Sequence, residues 1–114
     1  MDRASIQERL QAIIRSTETL DFPLFASFQR KRELIRETRE RIDAQVDQVL
    51  ADTGLIDCPL AAVRPTLWAE ADRAARDAFG DPDGKKILHG FYLQEVMHRY
   101  AQSQAVAIQK EWEC

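Results

Sequence analysis

The chain has 114 residues and a formal net charge of −3, a length that fits one domain spanning residues 1–114. Charged residues make up 31% and hydrophobic residues 45%, a globular balance that excludes wholesale disorder. No apolar run approaches the roughly 20 residues needed to cross a bilayer. The polar start Met1-Asp2-Arg3-Ala4-Ser5 is unlike a secretory core, so a cytoplasmic chain is expected.

Fifteen Ala, ten Leu, nine Gln and twelve Arg stand against five Val and five Thr. The first group loses little on entering a helix and β-branched residues lose more, which predicts an all-α chain. Ser5 and Glu8 fit a capping box at the start of a first helix. Its apolar face is read from Ile6, Leu10, Ile13, Ile14 and Leu20. Asp21-Phe22-Pro23 interrupts it, because the residue before proline leaves the α region.

A second helix is predicted over about residues 23–52, a stretch free of Pro and Gly after its first residue and closed by Gly54. At 1.5 Å per residue it is a rod of roughly 45 Å, longer than the roughly 34 Å diameter of a spherical domain this size. Such a helix bends, breaks or partly projects. Phe28, Ile35, Ile42 and Val49 repeat every seven residues beneath a charged surface, the pattern of a coiled-coil seam, although Lys31, Thr38 and Gln45 leave half of that seam polar. These four residues are therefore the expected self-association surface of a homodimer; the alternative is a mostly solvated helix whose stripe packs on the short first helix. Residues 30–42 carry a charge of +3 and residues 43–63 a charge of −4, which suits antiparallel pairing of two copies. The pairs Glu37–Arg41 and Arg39–Asp43 have the i,i+4 spacing of helix-surface ion pairs.

A connector follows, with a short turn expected over Pro59–Val63. A third helix is predicted over Pro65–Phe79, ended by Gly80 and the turn Asp81-Pro82-Asp83-Gly84. A fourth is predicted from about Lys85 to Glu113. Its apolar face is read from Ile87, Leu88, Phe91, Val96, Tyr100, Ala107 and Ile108, widened by Tyr92, Leu93 and Met97. The expected architecture is an all-α, four-helix domain with one long helix.

Chemistry-bearing motifs are sparse. Two isolated cysteines, Cys58 and Cys114, form neither a disulfide framework nor a metal motif. Glu95 and His98 have the Glu-x-x-His spacing of di-iron bundles, but a full site needs two such motifs and further carboxylates. They are weak metal candidates whose ordinary reading is a solvated or satisfied pair. Arg30, Lys31, Arg32, Arg36 and Arg39 are candidate phosphate contacts, although Glu33, Glu37 and Glu40 interleave with them and disfavour nucleic acid. Phe22, Phe25 and Phe28 cluster at the start of the long helix, where core packing is the default.

No catalytic constellation is recognisable and no cofactor is called for. The expected role is a non-enzymatic helical accessory or adaptor protein that self-associates and binds a protein partner. Two other readings stand beside it: a DNA-associated regulator using residues 30–41, and a dimeric carboxylate–histidine metal protein.

Overall fold

A computed structural model of the chain describes residues 3–20, 28–54, 60–79 and 89–113. Among the described residues there are four helices: α1 (Arg3–Ser16), α2 (Phe28–Thr53), α3 (Leu60–Phe79) and α4 (His89–Glu113), with a 3-10 turn over Thr17–Thr19 extending α1. No strand occurs among the described residues. Residues 23–27, the turn 81–84, residues 85–88, Phe22, Phe25, Cys58, Cys114 and the side chains of Phe28 and Trp112 lie outside the described residues.

Cross-helix contacts give the direction of each element. Arg9 reaches Asp52, and Ala12 and Ile13 border the same groove as Gln45, Gln48 and Val49, so α1 and α2 run antiparallel. Arg64 meets Gln104, Trp68 meets Tyr100 and Asp72 meets Tyr92, which makes α3 antiparallel to α4. Arg39 meets Tyr100 and Asp43 meets Gln104, which makes α2 and α4 parallel. The result is an up-down-up-down bundle.

Helix α4 is its centre, touching each of the other three. Tyr92, Leu93, Val96, Met97, Tyr100, Ala101, Gln104, Ala105 and Ile108 are buried. Two adjacent residues per turn form a face broad enough for several neighbours. Phe91, expected on that face, is 59% exposed and stacks on Phe79. One position from Tyr92, it is rotated off the buried arc.

Helix α1 buries Ile6, Leu10 and Ile14 at successive turns, and Thr17 continues the line. The helix already includes Arg3, so Ser5 lies inside its first turn rather than capping it. Helix α2 buries Thr38, Ile42, Val46, Val49 and Leu50 and packs Leu34 and Ile35 against the same core. Ile35, Ile42 and Val49, read as a seam toward a second copy, therefore pack within their own chain. Thr38, Val46 and Leu50 widen the stripe into the face of a bundle helix.

The 26 residues of α2 span about 39 Å, and the molecule measures 43 × 21 × 20 Å. An elongated bundle thus accommodates a helix too long for a sphere, its first two turns carrying exposed charge. Gly54 closes α2 with φ +78°, a left-handed conformation that glycine adopts without steric cost.

The third helix begins at Leu60, five residues before the expected Pro65, so residues 60–63 of the turn read over Pro59–Val63 belong to α3, and Pro59 lies outside the described residues. Pro65 sits in the second turn, where it removes one backbone hydrogen bond. Leu60 and Arg64 hold that segment helical, Leu60 in the core and Arg64 through bonds to α2 and α4.

Candidate functional site

One cluster of polar side chains lies on the seam where α2, α3 and α4 meet. Arg64 is at its centre, with its side chain 12% exposed. Its Nε donates to Gln104 Oε1 at 3.0 Å, and its Nη2 donates to Asp47 Oδ1 at 2.7 Å. Gln104 Nε2 donates to Asp43 Oδ1 at 3.0 Å, and the Tyr100 hydroxyl donates to the same oxygen at 2.8 Å. Gln104 and Tyr100 are fully buried. The cluster closes on itself, which is what buried polar groups require. Burial disfavours the Arg64 charge, but the hydrogen bond to Asp47 and the carboxylates of Asp43 and Asp47 outweigh it and raise its pKa. Burial, then the hydrogen bond to Asp43, pushes Tyr100 well above the usual tyrosine range.

A second cluster joins the far ends of α3 and α4. The Tyr92 hydroxyl donates to Asp72, and Arg76 Nε donates to the other oxygen of that carboxylate at 3.0 Å. Burial, then the bond to Asp72, raises Tyr92 in the same way.

Arg39 behaves differently from the other half-buried arginines. Arg9, Arg64 and Arg76 each bond a carboxylate. The Arg39 guanidinium lies over the Trp68 ring at 4.2 Å and near the Tyr100 ring at 5.6 Å, and it bonds no carboxylate among the described residues. Asp43, its expected i,i+4 partner, is engaged by Tyr100, Gln104 and Arg64. Trp68 meets Tyr100 edge-on with centroids 5.2 Å apart, so two helices provide the platform. A guanidinium stacked on a ring keeps in-plane N–H donors that suit an anion.

Helical geometry sorts the charges that interleave in the sequence. At about 100° per residue, Arg32, Arg36 and Arg39 fall within an arc of about 60°. Glu33, Glu37 and Glu40 centre about 100° further round. Arg30 belongs to the acidic side, with its Nη1 3.3 Å from Glu33 and 3.7 Å from Glu37. Glu37 is therefore held by Arg30 and not by Arg41. Lys31 is half-buried on the opposite flank. Of the five expected phosphate contacts, Arg32, Arg36 and Arg39 share a stripe, while Arg30 and Lys31 do not. The acidic end of α2 is partly compensated within the chain: Asp43 and Asp47 share the one cation of Arg64, and Asp52 pairs with Arg9.

The Glu95–His98 pair is divided. Arg99 Nε is 2.6 Å from Glu95 Oε1, while His98 Nδ1 is 3.0 Å from the buried Thr17 hydroxyl on the 3-10 turn. Among the described residues no group of three or more His, Cys, Asp or Glu side chains is placed to hold a metal. Among them, no helix is long and apolar enough to cross a membrane.

Sequence reasoning missed Arg64, Asp47 and Gln104. The available signal was Gln104, a polar residue one turn from both Tyr100 and Ile108 on an apolar face, and therefore in need of a partner. No protein-family model, curated protein or solved structure matches the chain.

Proposed function

We propose that the chain is a cytoplasmic, non-enzymatic helical accessory protein that binds another macromolecule through the exposed N-terminal half of α2. The observation that carries this reading is Arg39, held on Trp68 and Tyr100 with no carboxylate among the described residues. Holding an arginine on an aromatic platform limits its conformational freedom before a partner arrives, which lowers the entropy cost of binding. Arg36 stands exposed one turn away on the same arc. The low cysteine content suits a reducing compartment.

Ile42 and Val49 are buried and Ile35 packs against the same core, so the proposed surface is the charged face instead. The DNA-associated reading uses the same arginines, and steep loss of binding with salt would mark it.

A photoreactive residue replacing Gln29 on α2 tests the reading in the native host, with the same probe at Glu70 on α3 as the control. The expected result is a discrete adduct from position 29 that is lost when Arg36 and Arg39 are changed to Glu. Equal adducts from both positions, or none from position 29, would refute the reading.

A further inference from the structure

We infer that Arg32, Arg36 and Arg39 form a docking strip for an acidic helical segment of a protein partner, an inference that rests on the proposed role of α2. The three positions are spaced i, i+4 and i+7 and cover about 10.5 Å of helix. A helix bearing carboxylates at that spacing has the same rise, so one carboxylate can face each guanidinium when the two lie side by side. Arg39 is the anchor. Its fork matches a carboxylate, and the Trp68 ring, 4.2 Å from its Cζ, restrains the guanidinium.

Charge around the strip selects a narrow polyanion. Glu40 borders Arg36 on one side, with Glu33 and Glu37 beyond it. Asp43 and Asp47 close the end toward α3, and the Asp47 side chain is 57% exposed. DNA carries about six phosphate charges over 10.5 Å and continues past both ends. Three arginines cannot neutralise such a run, and the flanking carboxylates repel the remainder. An acidic helix presents about one carboxylate per turn along a single edge, a charge density that three arginines at this spacing match. The net charge of −3 adds to the discrimination, because long-range repulsion acts on an extended polyanion more than on a short acidic face.

The test is fluorescence anisotropy with three labelled probes: an Ala-rich helical peptide with Glu at i, i+4 and i+7, the same peptide with Gln there, and a DNA duplex. The intact chain is titrated at low and at physiological salt. The Glu peptide is expected to bind saturably at low salt, with the Gln peptide about tenfold weaker or more. Arg36→Gln, at an exposed position, is expected to weaken the Glu peptide severalfold, and the double change with Arg39→Gln about tenfold. Arg41→Gln, on the opposite side of α2, is expected to change it less than about twofold. Circular dichroism and urea midpoints confirm that each variant is folded. Equal binding of the Glu and Gln peptides, no saturable binding, or tighter DNA binding with the same arginine dependence would each overturn the inference. Crosslinking from position 29 would survive that failure, which separates loss of the acidic-helix strip from loss of the α2 reading.

Discussion

Arg64 on α3 holds Asp47 on α2, with Nη2 2.7 Å from Oδ1 and Nη1 3.3 Å from Oδ2, and the same guanidinium reaches Gln104 on α4. One side chain thus ties three helices, and its two carboxylate partners are unequal. Asp47 is largely exposed, whereas Asp43 shares its oxygen with Tyr100 and Gln104 in the interior.

The two ends of this bond should respond differently to mutation. Arg64→Met leaves Asp43 short of a cation and Gln104 Oε1 without a donor, and is expected to cost about 2–4 kcal/mol. Asp47→Asn removes only a solvent-screened partner and should cost less than about 1 kcal/mol. Urea unfolding with an unchanged m-value measures both. Equal losses would mean that the buried part of the cluster does not depend on Arg64.

Both tyrosines of the chain, Tyr92 and Tyr100, donate to carboxylates and are raised well above the ordinary value of about 10. Absorbance at 295 nm should therefore show no tyrosinate step near pH 10 in the folded protein, and a two-tyrosine step there in guanidinium. A pKa raised on folding favours the protonated folded state. That stability is whole below pH 10 and is lost as pH rises toward the folded values, because the unfolded chain ionises first. The urea midpoint should fall above pH 10. A normal step in the native protein would contradict the bonds to Asp72 and Asp43.

Ile42 is 2% exposed within its own chain. Ile42→Ala is expected to cost about 2–4 kcal/mol through lost burial and a residual cavity. The loss should not depend on protein concentration, since the contacts removed are intramolecular. A seam between copies would instead give an unfolding midpoint that rises with concentration. Ile35→Asp, at a half-buried site, should lower stability without changing the mass in light scattering.

How much was legible follows from what each residue's role depends on. Helix number and type follow from local propensity and punctuation, so Gly54 and the Ala-rich third segment were readable. The direction of the α2 stripe was not, because Ile35, Ile42 and Val49 present the same periodicity to a partner chain as to the core of their own chain. Long-range polar pairs were equally hidden. Arg39–Asp43 has the spacing of a helix-surface pair, and only the approach of Arg64, Tyr100 and Gln104 redirects Asp43. Trp68, read as one member of an apolar face, became the platform for Arg39 through the α2–α3 approach alone.

His98, one half of the Glu-x-x-His spacing, has a hydrogen-bond partner that fixes its tautomer. The Thr17 hydroxyl donates its single proton to the Ile14 carbonyl at 2.6 Å, so its contact with His98 at 3.0 Å is one in which the ring donates. This geometry requires Nδ1–H, and in the neutral ring it leaves Nε2 as the unprotonated nitrogen. Long-range ¹H–¹⁵N spectra of the neutral form should show that tautomer. Thr17→Val, which removes both bonds at a buried site, should abolish the preference and cost about 1–2 kcal/mol. The same assignment bears on metal binding, since Nε2 is the nitrogen left for a ligand bond while Glu95 is held by Arg99. Zinc or iron added to the protein should leave the ring tautomer and the urea midpoint unchanged. A midpoint that rises with metal and falls back in His98→Ala would restore the carboxylate–histidine reading.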